Sequence, residues 1–225
     1  ISVRLITISN SATYRGTDKI QTVKQAVPRL GMKQSQSVVT AIASKGMYDV
    51  ENEQFKEVLR KLWMHALATA YAARNLAVRV GLDDVEMLFL MGLVHDIGKV
   101  LLLKPLSELM DKAEVINMDE ALTTIQVSHA HLGGSLLERL GFSQEVVRTT
   151  TMHNAKKFSD ATQREILAVN LANLLAHKLG YTIWDEEEVE LEQLESAKIL
   201  ALAPQALTDV CGEVKKIMDD AAQSF

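Results

Sequence analysis

The segment "GLVHDIGKVLL", Gly92 to Leu102, sets an imidazole, a carboxylate and an amine inside a run that is otherwise apolar. It continues the stretch Asp84 to Val94, which is apolar nearly all round apart from Glu86, the pattern of a buried helix. Each buried polar group left without a partner costs roughly 1–3 kcal/mol, and a charge costs more, so the fold must bring matching groups to His95 and Asp96. A fold that packs this segment only against aliphatic surface is thereby excluded.

Helical spacing shows where such groups come from, because residues three, four and seven apart share a face. Glu53 to Val80 carries a broad apolar face from Phe55 to Ala77, ended by Gly81 and interrupted by His65, which lines up with Leu62, Thr69, Ala72 and Leu76. In Ser128 to Leu140, His129 falls with Gly133, Leu136 and Leu140, whereas His131 falls with Ser135 and Glu138; His129 is expected inside and His131 in water. On the Gln163 to Leu179 helix, Asn173 lies with Ile166, Asn170 and His177 on a half-polar stripe. Imidazoles and a carboxylate converging from separate helices are what a divalent metal site requires, neutral nitrogen plus anionic oxygen. Taken singly, each histidine could instead merely satisfy a backbone carbonyl.

The remaining chain reads as helices too. Aromatics are only 5% of 225 residues and there are three prolines, a balance that favours helices over strands. The fold class expected is all-α, a multi-helix bundle divided into an N-terminal helical subdomain over residues 1–50, a core over 51–180 and C-terminal helices over 181–225. The spacing predicts a stripe Ile20, Val23, Val27 and Leu30 against the bundle, a helix over Ser35 to Ser44, one near Glu108 to Ile116, a helix over Asp119 to Val127 separate from Ser128 to Leu140, and one over Gln144 to His153. The acidic stretch Asp185 to Glu195 reads as a solvated helix face.

A net charge of −5 argues against a general grip on nucleic acid or an anionic membrane, both of which need basic surface. One cysteine, Cys211, makes no intrachain disulfide and suits a reducing cytoplasm, and no apolar run reaches the length of a membrane span. The chain opens "ISVRLITISNSA", without Met and already in helical pattern, so further residues are expected upstream.

"LWMH" at Leu62 to His65, "GLVHDIGKVLL" thirty residues on, and "SHAHLGGSLLERLGFSQEVVRTTTMHN" resemble the HD superfamily of metal-dependent phosphohydrolases. The opening "RLITISNSATYRGTDKIQTVKQAVPRLGM" is similar more specifically to the HDOD family, the HD-related output domain of bacterial signalling proteins. The resemblance spans roughly residues 3 to 180 and implies an HD-like core. It also implies that His65, His95 and Asp96 match the first three metal ligands, and that His129 and His153 match the downstream histidines of two-metal members. Lys99 matches a lysine that can face phosphate, so that His95, Asp96 and Lys99 would be the catalytic set of an enzyme; the other reading is that Lys99 offsets the charge of Asp96 or lies on the surface.

Two positions depart from the enzymatic pattern. Asn173 stands where the distal aspartate is usual, and Asn154 stands where a paired histidine is usual, with no Gly-Tyr-Pro triplet following. The resemblance therefore implies a signalling module with a degenerate pocket, non-catalytic or weakly catalytic, whose partners are other signalling proteins or domains. The pocket would take a divalent ion (iron, manganese, zinc, magnesium or nickel) or none, and a nucleotide or phosphate ligand. The alternative is a phosphohydrolase acting on phosphomonoesters, nucleotides or cyclic dinucleotides through a metal-activated water.

Overall fold

The computed structural model describes residues 1–11, 13, 14, 16, 18–111, 117–183 and 189–222. Eleven α-helices follow in order: α1 (Ser2–Ser9), α2 (Val23–Leu30), α3 (Met32–Ser44), α4 (Glu53–Val80), α5 (Val85–Val94), α6 (Ile97–Asp111), α7 (Met118–Arg139), α8 (Gln144–Met152), α9 (Arg164–Lys178), α10 (Glu195–Ile199) and α11 (Pro204–Ala222). Short 3-10 turns occupy Lys45–Tyr48 and Leu191–Gln193, and there is no strand among the described residues, so the all-α class holds. None of the described helices is long and apolar enough to cross a membrane.

Helix α4 is the axis of the bundle and packs against α5, α9 and α11. Its ends are specified locally. The Asn52 side chain accepts hydrogen bonds from the backbone N–H of Gln54 and Phe55, and Gly81 adopts the left-handed conformation at φ 68°, letting Leu82 N–H close back on Ala77 O at 2.9 Å. Its middle is built from small residues, Ala66, Ala68, Ala70, Ala72 and Ala73, all fully buried, so that neighbouring helices can approach on several sides.

Two glycines set the closest approaches. A Cβ on Gly92 would lie 2.7 Å from Ala70 Cα and 2.8 Å from Thr69 O, so α5 can cross α4 only with glycine there. A Cβ on Gly98 would lie 1.9 Å from the His129 carbonyl oxygen, so α6 and α7 touch backbone to backbone. These crossings flank His95 and Asp96 in the chain and bring them to His65 on one side and His129 on the other.

Three expectations are corrected. The Glu108 to Ile116 helix begins much earlier, as part of α6, which runs through Pro105; the carbonyl that Pro105 leaves without its helical partner belongs to Leu101, on the exposed face where water can meet it. Residues 112–116 of that expectation lie outside the described residues. Asp119 to Val127 and Ser128 to Leu140 are one helix, α7, because neither glycine nor proline separates them and the hydrogen bonds run on. The stripe Ile20, Val23, Val27 and Leu30 does not face the bundle. Helix α2 starts only at Val23, after a capping box between Thr22 and Gln25, which leaves Val23 exposed; Ile20 precedes the helix, and with Ala26 and Leu30 packs on Leu5, Ile8, Val38 and Ile42 in a small separate core.

The N-terminal helices reach the bundle through α3 instead. Ser37 Oγ donates to Glu86 Oε2 at 2.5 Å, and Glu86 Oε1 accepts from Arg74 Nε at 2.9 Å. Of the acidic stretch, residues 185–188 lie outside the described residues, and its end is a 3-10 turn with Leu191 buried rather than a solvated α-helix. Helix α11 buries Val210, Val214 and Met218 in the main core, packing on α4, and Cys211 is partly buried and free.

Replacing Gly98 with alanine forces two helices apart, and the expected cost is about 3 kcal/mol or more. Gly212→Ala, on an exposed position of α11 with nothing within 4 Å of the new Cβ, should instead stabilise by up to about 1 kcal/mol through helix propensity. Urea unfolding midpoints of the two variants, compared with wild type, check both signs.

Candidate metal centre

Four of the six histidines meet at the crossing of α4, α5, α7 and α8. His65 lies mid-way along α4, His129 lies in α7, and His95 and His153 terminate α5 and α8. All four are at most 1% exposed, whereas His131 is exposed as its spacing predicted. Each ring is held through Nδ1 by a backbone carbonyl: His65 to Tyr181 O at 2.7 Å, His95 to Gly92 O at 2.7 Å, His129 to Ile125 O at 3.0 Å and His153 to Thr150 O at 2.7 Å. A carbonyl only accepts, so every Nδ1 carries a proton, and in the neutral ring Nε2 is then a bare lone pair. Asn170 supports the end of α8 by donating to the His153 carbonyl at 2.7 Å.

The four lone pairs converge on Asp96. His65 Nε2, His95 Nε2 and Asp96 Oδ2 form a triangle with sides of 3.2, 3.4 and 3.5 Å. His129 Nε2, His153 Nε2 and Asp96 Oδ1 form a second, with sides of 3.2, 3.3 and 3.4 Å. One carboxylate thus supplies one oxygen to each. Within each triangle, acceptors face acceptors with no proton between them, and Asp96 Oδ1 is buried without a hydrogen bond of normal geometry. Tetrahedral ligands about 2.1 Å from an ion stand about 3.4 Å apart, which is the spacing found. The residues therefore fit a divalent cation in either triangle, with the Nδ1–H···O=C bonds as the outer support that fixes each imidazole.

Electrostatics agree. Burial resists ionisation of Asp96 most strongly, but the Lys99 ammonium beside it acts in the opposite direction and holds the carboxyl well below the usual carboxylate range. Burial pushes His65 well down and His153 down to about 4, so both stay neutral, as ligands must be. Lys99 Nζ lies 2.6 Å from Asp96 Oδ2 and is 3% exposed, so Lys99 sits against the carboxylate inside the core.

Asn173 is buried beside the cluster and reaches it through Asn154: Asn173 Nδ2 donates to Asn154 Oδ1 at 3.1 Å, and Asn154 Nδ2 donates to His129 Nε2 at 3.0 Å. On its other side Asn173 Oδ1 accepts from His177 Nε2 at 3.1 Å, and the His177 ring stands edge-on to His65 with centroids 4.7 Å apart. His177 was not among the candidate site residues. Its signal in the sequence was the i, i+4 spacing from Asn173 on the half-polar stripe that also carries Asn170.

The comparisons with known proteins accord with this architecture. The HDOD domain model matches residues 1–156. Among solved structures, the chain is similar to a candidate metal-dependent phosphohydrolase from Shewanella amazonensis SB2B, with TM-score 0.75, 21% identity, and coverage of 97% of this chain and 79% of that one. It is also similar to an HDOD domain protein of unknown function from Geobacter sulfurreducens, with TM-score 0.74, 18% identity, and coverage of 100% and 82%. A candidate signal transduction protein from Marinobacter aquaeolei VT8 follows the same fold at TM-score 0.65 and 14% identity, with 99% of this chain covering 51% of that one. No curated protein matches the chain. With most of its length matched by the family model and with the same helical fold in these relatives, the chain belongs to the HDOD domain family.

Proposed function

We propose that this chain is a bacterial signal-transduction module in which the His/Asp cluster holds a divalent ion as a structural or sensing element, and that its output is contact with other signalling proteins rather than turnover. The observation that carries this reading is burial: His65, His95, Asp96, His129 and His153 are all at most 1% exposed. Around them, Lys99 covers one oxygen of Asp96 and Asn154 covers the nitrogen of His129. A bound ion would supply Lewis acidity and a shared partner for the lone pairs that face each other within a triangle. The chain's own residues do the rest. The carbonyls of Gly92, Ile125, Thr150 and Tyr181 keep the protons on the outer ring nitrogens, and Asp96 stays ionised beside Lys99.

The chemistry of the cluster also bears on its ligand. An ion's two positive charges and the Lys99 ammonium are set against a single carboxylate, so the loaded centre carries excess positive charge and favours an anion of the phosphate or nucleotide class. The alternative, a phosphohydrolase, is favoured by one observation: two ligand triangles share one carboxylate, the arrangement that two-metal hydrolysis uses. In that reading His95, Asp96 and Lys99 would serve the reaction, and the cover over the cluster would have to open.

Calorimetry with manganese, iron(II) and zinc is expected to show ion binding to the wild type and none to Asp96→Ala. That variant should also lose on the order of 3 kcal/mol of stability, because it leaves Lys99 buried without its carboxylate. Turnover of a generic phosphodiester in the presence of these ions should not exceed the ion-only background; robust turnover abolished by His95→Ala would establish the enzyme instead.

The ion-free protein should lose stability in mild acid. His65 and His153 are held neutral in the fold, His153 with its pKa near about 4, against an ordinary 6.5 in the unfolded chain. As pH falls below 6.5 the unfolded chain takes up these protons first, so stability is full above 6.5, declines through the window, and the His153 part levels off below about 4. Asp96, depressed below its ordinary 3.8, stays ionised in both states across most of that window and does not offset the loss. Urea unfolding at pH 8, 6.5 and 5 in the presence of a chelator measures the slope.

A further inference from the structure

A nitrogen lone pair differs from a carboxylate oxygen in one decisive respect. An imidazole Nε2 has a single lone pair, so it can accept a hydrogen bond or bind a cation, but not both, whereas a carboxylate oxygen can do both at once. Lys99 on Asp96 Oδ2 is therefore compatible with an ion in the His65 and His95 triangle. The Asn154 amide on His129 Nε2 is not compatible with an ion in the His129 and His153 triangle.

The Asn154 contact is the inner end of a directional chain. His177 Nε2–H donates to Asn173 Oδ1, Asn173 Nδ2–H donates to Asn154 Oδ1, and Asn154 Nδ2–H donates to His129 Nε2, at 3.1, 3.1 and 3.0 Å. The direction is dictated from the inner end. Because Ile125 O takes the Nδ1 proton of His129, its Nε2 must accept, which fixes the orientation of both amides and the tautomer of His177. Side-chain amides have oxygen at one end and NH2 at the other in nearly equal volumes, so the same residues can also carry the reverse direction with no change in packing. The chain starts in the closed core, passes through buried Asn173 and ends at half-buried His177, near the C-terminal end of α9.

We propose that the chain His177, Asn173, Asn154 and His129 is a two-position hydrogen-bond switch that couples occupancy of the second triangle to the tautomer of His177 near the C-terminal end of α9. The proposal rests on the reading of the cluster as an ion site. When a cation takes the His129 lone pair, Asn154 turns its amide over, presenting Oδ1 as a neutral oxygen donor on the cation side and Nδ2–H to Asn173. Asn173 turns in the same way, accepting through Oδ1 and donating through Nδ2 to His177 Nε2. His177 must then exchange its Nε2 proton for one at Nδ1, a nitrogen that is itself buried, so the exchange requires the end of α9 to admit water transiently; there is no net change in charge. Asn173 and Asn154 are suited to this because both can reverse; a carboxylate at either position could only accept, and would lock one direction.

The test is long-range proton–nitrogen NMR of the histidine rings in the uniformly 15N-labelled chain, with and without zinc, using His177→Gln to assign the ring of interest. Without zinc, His65, His95, His129 and His153 should be protonated at Nδ1 and His177 at Nε2. At saturating zinc the four core Nε2 signals should shift on coordination, and His177 should change to the Nδ1–H tautomer. In Asn154→Ala, zinc should still shift the four core rings, with at least tenfold higher affinity at His129 and His153, while His177 keeps its Nε2 proton. Zinc that shifts His129 and His153 in the wild type while His177 stays at Nε2–H would overturn the switch and leave the ion site standing. So would zinc confined to His65 and His95 at saturation, or a His177 change that survives Asn154→Ala. Zinc that moves none of the four core rings would overturn the ion-site reading, and the switch with it.

Discussion

Five acceptors pointed at one another in a closed core are the constraint on which the rest of this structure depends. Two forces act on the Asp96 carboxylate: burial, which favours protonation, and the Lys99 ammonium, which favours the anion. The second prevails, so an ion pair lies at the centre of a helical bundle. Such a pair contributes little to net stability over an apolar core of the same shape, but removing either partner is costly. The four neutral imidazoles sharpen the problem, because their inner nitrogens add lone pairs without adding protons. A cation placed in a triangle gives its three acceptors one shared partner.

The bundle is shaped to hold that arrangement. Long helices contribute His65 and His129 from their middles, where the backbone is rigid. Helix ends contribute His95 and His153, whose rings fold back onto a carbonyl three residues earlier in the chain. The bare backbones at Gly92 and Gly98 let α5 meet α4 and α6 meet α7 at distances no side chain would tolerate. The apolar packing around these crossings and the polar cluster between them are therefore one design problem: a shift of either helix by an ångström would open the ligand triangles beyond the reach of a single ion.

The second layer is made of amides where enzymes of the wider superfamily, by resemblance, carry acid and imidazole. Asn154 and Asn173 bring no charge, so the centre keeps an excess of positive charge when loaded. They bring instead hydrogen bonds that can run in either direction. A charged second layer would make a stronger and more permanent metal site, while an amide layer makes one whose occupancy is coupled to its surroundings.

Much of this was legible in the sequence. The length and ends of α4 follow from Asn52, the apolar periodicity and Gly81, and they agree with the structure to the residue. The inward faces of His65 and His129, and the outward face of His131, follow from the 3.6-residue period. Local reading failed where a helix continues past a residue that usually ends it, as at Pro105, and where a stripe on a short helix could face either of two neighbours, as with Ile20, Val23 and Leu30. In both cases the deciding quantity is which groups meet water, and that is a property of the assembled surface. For any one histidine the sequence left two roles open, a carbonyl partner or a metal ligand; the structure shows that the two ring nitrogens divide the geometry, Nδ1 on a carbonyl and Nε2 toward Asp96. The sequence by itself determined that His65, His95, Asp96 and His129 are buried, because periodicity places them among apolar neighbours; the burial of Lys99 against Asp96 it left open. Only the tertiary structure decided which atoms of those groups face each other, and that His177 joins them, because ring tautomers and amide directions are set by partners more than a hundred residues away as well as by the adjacent turn.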